Sequence, residues 1–100
     1  MKDDIARSRF ELAVGEQVVF ANYHRQPGIL VISHVYAPIS LRGTGAAGML
    51  MEAVAVQARA EGLRILARCG YARSWLSRHP EHCGLLVPSS RNSTGLGDLP

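Results

Sequence analysis

A glycine-rich turn that runs directly into a long helix constrains the fold of this chain more than any other feature. Residues 41–62 read LRGTGAAGMLMEAVAVQARAEG. A continuous apolar strand, residues 28–36, leads into the turn, and a short apolar strand, residues 63–69, follows the helix. Glycines let the backbone approach a ligand closely, and a helix N-terminus favours negative charge, so this order predicts a site for a phosphate group.

The turn has a second interpretation, in which its glycines only allow a tight strand-to-helix connection. The spacing supports both interpretations about equally, although Arg42 adds a cation beside the glycines. No Gly-Lys-Ser/Thr follows, so the turn is not a P-loop. GTGAAG fits the letters of the dinucleotide-binding motif, but Arg68 and Cys69 stand where that motif needs an acidic residue to hold a ribose.

The chain as a whole predicts an α/β fold built on a mixed sheet of about four strands. Alternating residues in 10–14 and 17–24 predict an antiparallel hairpin, and a Pro-Gly pair marks the next turn. The strand at residues 28–36 is apolar on both faces, which predicts a central position covered on both sides. Because a helix joins it to the strand at residues 63–69, these two strands should be parallel.

Two helices complete the predicted architecture. The long helix covers residues 44–61, and a short C-terminal helix covers residues 71–78, with Trp75 and Leu76 turned inward. The predicted buried stripe of the long helix consists of Ala47, Leu50, Met51, Val54 and Ala58.

Length and composition indicate one domain, which we place at residues 9–87, between a flexible N-terminus at 1–8 and a disordered tail at 88–100. Eleven Lys+Arg against eight Asp+Glu give a net charge of +3, too small to predict nucleic-acid binding. No apolar run is long enough to span a membrane, and the first residues do not resemble a signal peptide. Because two cysteines make no disulfide framework, we expect a cytoplasmic protein, with its oligomeric state left open.

Residues 42–47, RGTGAA, resemble the acetyl-CoA pyrophosphate loop of the GNAT superfamily of N-acetyltransferases, whose pattern is Arg/Gln-x-x-Gly-x-Gly/Ala. Two longer segments resemble the small single-domain YjdJ-type branch of that superfamily. SHVYAPISLRGTGAAGMLMEAV is similar to the branch's His-Thr-x-Val-Pro-x-x-x-x-Gly-x-Gly segment. CGYARSWLSRHPEHCGLL is similar to its closing Cys-x-Tyr-…-His-Pro-Glu-Tyr-x-x-Leu segment. The resemblance covers about residues 10–86.

The resemblance implies a compact GNAT-like fold without the N-terminal strand and helices of longer members, and it implies acetyl-CoA as the cofactor. The pantetheine arm is expected beside the end of the strand at residues 28–36, and the pyrophosphate on the amides of the glycine turn. The implied cofactor-binding residues are Val35, Tyr36, Arg42, Gly43, Thr44, Gly45, Ala46 and Ala47. The implied reaction is acetyl transfer to an amine, which the sequence does not identify.

Three residues are candidates for catalysis. Cys69 follows the second parallel strand, so we expect it to face the cleft, as an acetyl acceptor or a proton-transfer group; the alternative is a small buried filler. His34 is a candidate general base, or else a core histidine with one hydrogen bond. Tyr71 lies where larger superfamily members have a tyrosine that protonates the leaving thiolate, and a packing role is its alternative.

The remaining alternatives concern metal and nucleic acid. His79, His82 and Cys83 are too few ligands to predict a zinc site without a CxxC pair, and the family has tyrosine where His82 stands, so we predict no metal. A module that binds CoA or acetyl-CoA without efficient transfer stays open as a function. So does a small basic nucleic-acid-binding domain, which needs exposed aromatic side chains on a sheet face beside basic residues.

Overall fold

The computed structural model describes residues 1–87, so the predicted tail at 88–100 lies outside the described residues. Residues 1–87 form five strands and two α-helices. In chain order these are β1 (Lys2–Asp4), β2 (Arg9–Val14), β3 (Gln17–Gln26), β4 (Ile29–Tyr36), α1 (Ala46–Ala60), β5 (Arg64–Ala67) and α2 (Gly70–Ser77). Short 3-10 turns occupy Ile5–Arg7, Ile39–Leu41 and Cys83–Leu85. None of the helices in this part of the chain has the length and hydropathy to cross a membrane.

The five strands form one mixed sheet in the order β1-β2-β3-β4-β5. β1 to β4 are antiparallel neighbours, whereas β4 and β5 pair in parallel through residues 29–32 and 64–67. This confirms the predicted α/β fold, with antiparallel hairpins and a parallel β-α-β unit. Beyond α2 the chain returns to β5, where the Val87 N–H donates to the Ile65 carbonyl at 2.7 Å.

The additional strand, β1, lies in the segment that we expected to be a flexible N-terminus. Its three residues pair with β2, so that Asp3 lies opposite Phe10. The Asp3 carboxylate accepts hydrogen bonds from the Tyr23 hydroxyl and from Arg25 Nη2, the latter at 2.9 Å. Polar contacts to β3, and not apolar burial, hold β1 in the sheet. The sequence Lys-Asp-Asp therefore shows no apolar alternation that would predict a strand.

Both helices pack against one face of the sheet and share a single core. The helix residues buried in it are Ala46, Leu50, Met51, Val54, Ala55 and Ala58 of α1, with Ala72, Trp75 and Leu76 of α2. The predicted inward positions of Trp75 and Leu76 are therefore confirmed. Ala47, which we expected in the buried stripe, is only half-buried because it lines the cavity described below.

The first half of β4 is buried between neighbouring strands, whereas its second half is not. Residues 30–32 are buried in succession, which confirms cover on both faces for the first half of the strand. At Asn22 and Tyr23 of β3 the register shifts, so that no β3 residue lies opposite Ser33 of β4, whose hydroxyl instead donates to the Asn22 carbonyl at 3.3 Å. The parallel pairing with β5 ends at the same place, with Ile32 opposite Ala67. Residues 33–36 therefore continue past the end of β5 with a neighbour on one side only.

Arg25 joins three parts of the fold. Its guanidinium donates to the Glu61 carboxylate through Nε at 2.9 Å and Nη2 at 2.8 Å, and Nη2 also donates to Asp3 at 2.9 Å. Nη1 donates to the Tyr23 hydroxyl at 3.1 Å. These bonds connect the edge strand β1 and the C-terminal end of α1 to β3. The hydrogen bonds from Arg25, followed by that from Gln57, lower the pKa of Glu61 to about 2.

Replacing Arg25 by alanine should lower the free energy of unfolding by about 1 kcal/mol at neutral pH, because a partly exposed ion-pair network contributes little more than that. Glu61 has a lower pKa in the folded state than in the unfolded state, so its contribution is complete above an ordinary glutamate pKa of about 4.3 and declines as the pH falls towards 2. Urea unfolding of wild type and Arg25→Ala at neutral pH and near pH 3 measures this, with Arg7→Ala as the exposed-arginine control. An equal penalty at both pH values would contradict the role of Glu61.

Candidate functional site

A cavity of about 490 Å³ opens at the carboxyl end of β4. The last residues of β4, the turn before α1 and the first turn of α2 form its wall. The lining residues are His34, Val35, Tyr36, Ala37, Leu41, Arg42, Gly43, Gly45, Ala47 and Tyr71. This volume is typical of a small-molecule site.

Gly43 and Gly45 determine the shape of the turn. Their φ angles are 82° and 89°, in the left-handed region that residues with a Cβ rarely adopt. Between them, Thr44 donates hydrogen bonds to the Leu41 carbonyl from its backbone N–H, at 3.2 Å, and from its hydroxyl. The same hydroxyl accepts from the Ala46 N–H at 3.3 Å. Thr44 thus stabilises the turn internally and does not line the cavity.

The start of α1 leaves several backbone N–H groups free for a ligand. α1 begins at Ala46, and the Met49 N–H donates to the Gly45 carbonyl at 3.0 Å. Within residues 1–87 no acceptor contacts the N–H groups of Gly43, Gly45, Ala47 and Gly48. Free amides at the positive end of a helix dipole attract an anion.

Arg42 brings a positive charge to the same wall. Its Nε–H donates to the Ala37 carbonyl at 3.0 Å, which fixes the side chain against the cavity. Its terminal nitrogens have no acceptor among the described residues. A guanidinium held in this way can bind a phosphate through two parallel hydrogen bonds.

The unpaired half of β4 offers further polar groups. Backbone N–H and C=O groups alternate in direction along a strand, so some of those in residues 33–36 face away from β3. β5 ends at Ala67 and does not reach them. Because Val35 and Tyr36 also line the cavity, these backbone groups are available to the polar atoms of a ligand there.

His34 and Tyr36 lie on the face of the sheet away from the core. His34 is exposed, so the core-histidine alternative is wrong. Tyr36 stacks on Phe20 with 5.1 Å between ring centroids, and Arg9 lies 4.4 Å from the Phe20 centroid. One exposed ring, Tyr36, and one half-buried ring, Phe20, are thus present on a sheet face, where the nucleic-acid alternative requires exposed aromatic side chains. Arg9, however, forms a 2.7 Å ion pair with Glu11, so the arginine beside the rings is already neutralised.

Tyr71 and Cys69 stand at the start of α2. Tyr71 is 39% exposed and lines the cavity. Burial raises the pKa of Tyr71, the charge of Arg78 lowers it, and the charge of the Cys69 thiolate raises it. Cys69 is half-buried against the core and lies outside the cavity lining, because β5 ends at Ala67 and Cys69 is the residue preceding α2.

Residues 9–85 match the model of a family described as GCN5-related N-acetyl-transferase. The chain belongs to this family. The match supports acetyl transfer in general as the activity of the domain and agrees with the five-stranded mixed sheet. A comparison with curated proteins found no match to the chain.

His79 and His82, two of the residues weighed as zinc ligands, have other partners. His79 Nδ1 donates to the Trp75 carbonyl at 2.6 Å, and His82 Nε2 lies 3.0 Å from both oxygens of Glu52. In the described part of the chain, ligand atoms of Glu52, Glu81 and His82 lie within 4.8 Å of one another. Arg59 donates to His82 Nδ1 at 3.2 Å, so Nε2 carries the proton, and a metal would have to displace it.

The cavity brings together most, but not all, of the predicted site residues. The predicted residues that line it are His34, Val35, Tyr36, Arg42, Gly43, Gly45, Ala47 and Tyr71. Cys69, Thr44 and Ala46 are outside the lining. The sequence analysis did not predict Ala37 and Leu41 as cavity residues. Both precede the glycine turn, and their position between the apolar strand and Arg42 was the feature that could have indicated their place in the cavity wall.

Replacing Cys69 by serine should lower the pKa of Tyr71, because the negative thiolate disfavours a neighbouring tyrosinate. Absorbance titration of the tyrosinates measures this in wild type and in Cys69→Ser. Subtracting the titration of the matching Tyr71→Phe protein isolates Tyr71 from Tyr23 and Tyr36. A Tyr71 pKa that stays the same or rises in Cys69→Ser would contradict the proximity of the two groups.

Proposed function

We propose that the protein binds acetyl-CoA and transfers the acetyl group to an amine acceptor. The observation that carries this proposal is the cavity in which the free amides of the glycine turn, the unpaired end of β4 and the Tyr71 hydroxyl meet. Within the family, the two sequence motifs support membership of the small single-domain YjdJ-type branch.

The cavity wall offers suitable groups for two parts of the cofactor, its pyrophosphate and its pantetheine arm. The pyrophosphate is assigned to the N–H groups of the turn at residues 43–48 and to the Arg42 guanidinium, both of which attract anions. The pantetheine arm is assigned to Val35 and Tyr36, where β4 has no neighbour on the β5 side and can form strand-like hydrogen bonds.

Acetyl-CoA supplies an acyl group activated as a thioester. Backbone N–H groups of residues 33–36 that face away from β3 would polarise the thioester carbonyl. His34, exposed in the cavity wall, would accept the proton that the amine loses as its C–N bond forms. Tyr71 would donate its hydroxyl proton to the thiolate as the C–S bond breaks. Burial, the leading cause of its raised pKa, keeps Tyr71 protonated for that step.

Cys69 has a different role in this proposal from that of an acetyl carrier. Its sulfur lies outside the cavity lining. We assign Cys69 a minor part in proton transfer, because its ionised form adds to the effect of burial in raising the pKa of Tyr71. An acetyl adduct on Cys69, detected by mass spectrometry after incubation with acetyl-CoA, would contradict this assignment.

One observation favours the second candidate, a module that holds CoA without efficient transfer. No aspartate or glutamate is among the described residues that line the cavity, so His34 is the one candidate base there. The module and the enzyme share the same cofactor site. The two functions differ only in whether an amine accelerates the release of CoA from acetyl-CoA.

Replacing Gly45 by alanine should weaken acetyl-CoA binding by at least about tenfold, because a Cβ there projects from the turn whose amides receive the pyrophosphate. Gly62→Ala is the matched control at the other end of α1. Both glycines have a positive φ, 89° and 71°, and open space around the added Cβ, so both variants should lose about 1–2 kcal/mol of stability. Calorimetric titration with acetyl-CoA compares them, and equal affinities in the two folded variants would show that the turn is only structural.

A further inference from the structure

His82 is a buried residue that the proposed reaction does not use. Its side chain is 3% exposed and contacts α1 through both ring nitrogens. A guanidinium can only donate, so Nδ1 accepts from Arg59 at 3.2 Å, and Nε2–H donates to Glu52 at 3.0 Å. The ring is thus fixed in one tautomer and one orientation against α1.

The His82 ring lies beside Trp75 of α2. The two rings are 5.9 Å apart at an angle of 19°, and the His79 ring lies 3.7 Å from the indole at 18°. Trp75 is 5% exposed, and its indole N–H has no acceptor among residues 1–87. Because no hydrogen bond from its side chain fixes the indole, its position depends on these stacked rings and on its packing.

Trp75 and Tyr71 meet α1 at one point, Gly48. A Cβ built on Gly48 would lie 3.2 Å from Trp75 Nε1 and 3.8 Å from the Tyr71 hydroxyl. Gly48 and Glu52 are one helical turn apart, so both face α2 and the segment that follows it. Contacts therefore lead from Glu52 through His82 to Trp75, whose indole nitrogen and the Tyr71 hydroxyl both lie beside Gly48.

We propose that His82 is a positioning residue that holds Trp75 against α1 and thereby fixes the Tyr71 hydroxyl in the cavity. The inference rests on the proposed function, in which Tyr71 donates a proton to the leaving thiolate. His82 touches neither substrate nor cofactor in this account. Its effect on catalysis passes through α2.

Two substitutions of His82 separate its hydrogen bonds from its ring. In His82→Gln the amide oxygen can accept from Arg59 while the amide N–H donates to Glu52, so positioning should be retained. In His82→Phe the flat ring remains but both hydrogen bonds are lost. Glu52→Ala removes one of these bonds from a half-exposed position, which makes it the variant least prone to unfold.

Two readouts need no enzymatic activity. Trp75 is the single tryptophan of the chain, so intrinsic fluorescence reports its surroundings directly. Absorbance titration measures the pKa of Tyr71, with the matching Tyr71→Phe proteins as the reference. Cys69 and Arg78, whose charges affect the Tyr71 pKa, are kept in every variant. We expect His82→Phe and Glu52→Ala to shift the Trp75 emission to longer wavelength and to lower the Tyr71 pKa towards its ordinary value. His82→Gln should resemble wild type in both.

Steady-state kinetics separate an effect on cofactor binding, seen in KM, from an effect on the chemical step, seen in kcat. In His82→Phe and Glu52→Ala, kcat should fall about tenfold, because a shift of about 1 Å in a catalytic group is costly. KM for acetyl-CoA should change less than about twofold, because the glycine turn is untouched. His82→Gln should restore kcat.

The outcomes distinguish this inference from the function on which it rests. Loss of stability in His82→Phe and Glu52→Ala with the Tyr71 pKa unchanged overturns the inference, since His82 is then a packing residue only. If the Trp75 emission and the Tyr71 pKa both shift while even wild type transfers no acetyl group, the positioning by His82 is supported and the proposed function fails.

Discussion

The parallel pairing of β4 with β5 stops at Ile32 and Ala67, and the rest of the site depends on that stop. If the pairing continued, the backbone of residues 33–36 would be saturated by β5 and closed to any ligand. Because β5 ends early, α2 begins there and brings Tyr71 to the open side of β4. The glycine turn leaves β4 at the same edge, so free amides, an unpaired strand and a phenol share one cavity.

Much of this arrangement was predictable because local patterns specify it. The mostly apolar stretch at residues 28–36, followed by glycines and a helical repeat, predicts the β4-α1-β5 unit, and its parallel pairing is confirmed. The inward positions of Trp75 and Leu76 follow from helical spacing and are also confirmed. The catalytic and cofactor roles of the cavity residues remain predictions, supported by the position of His34, Arg42 and Tyr71 around one cavity.

The features that the sequence did not predict depend on contacts between residues that are distant along the chain. β1 is polar, and it forms because Asp3 meets Tyr23 and Arg25 of another strand. The irregular pairing at Ser33 results from a register shift between β3 and β4, which no local sequence pattern predicts. His82 suggested a metal ligand by its spacing from His79, yet its partner is Glu52, thirty positions earlier on α1. Cys69 was expected in the cleft, but it packs against the core and is not among the residues that line the cavity.

Release of CoA from acetyl-CoA, followed as free thiol in the presence of a panel of amines, tests the central claim most directly. Small amines, polyamines, amino acids and lysine peptides should be compared, with Tyr71→Phe as the variant that lacks the proposed acid. We expect amine-dependent release by the wild-type protein and a fall of about a hundredfold in Tyr71→Phe, the usual effect of losing a general acid. Release by the wild-type protein that is no faster than in buffer for every amine would contradict it.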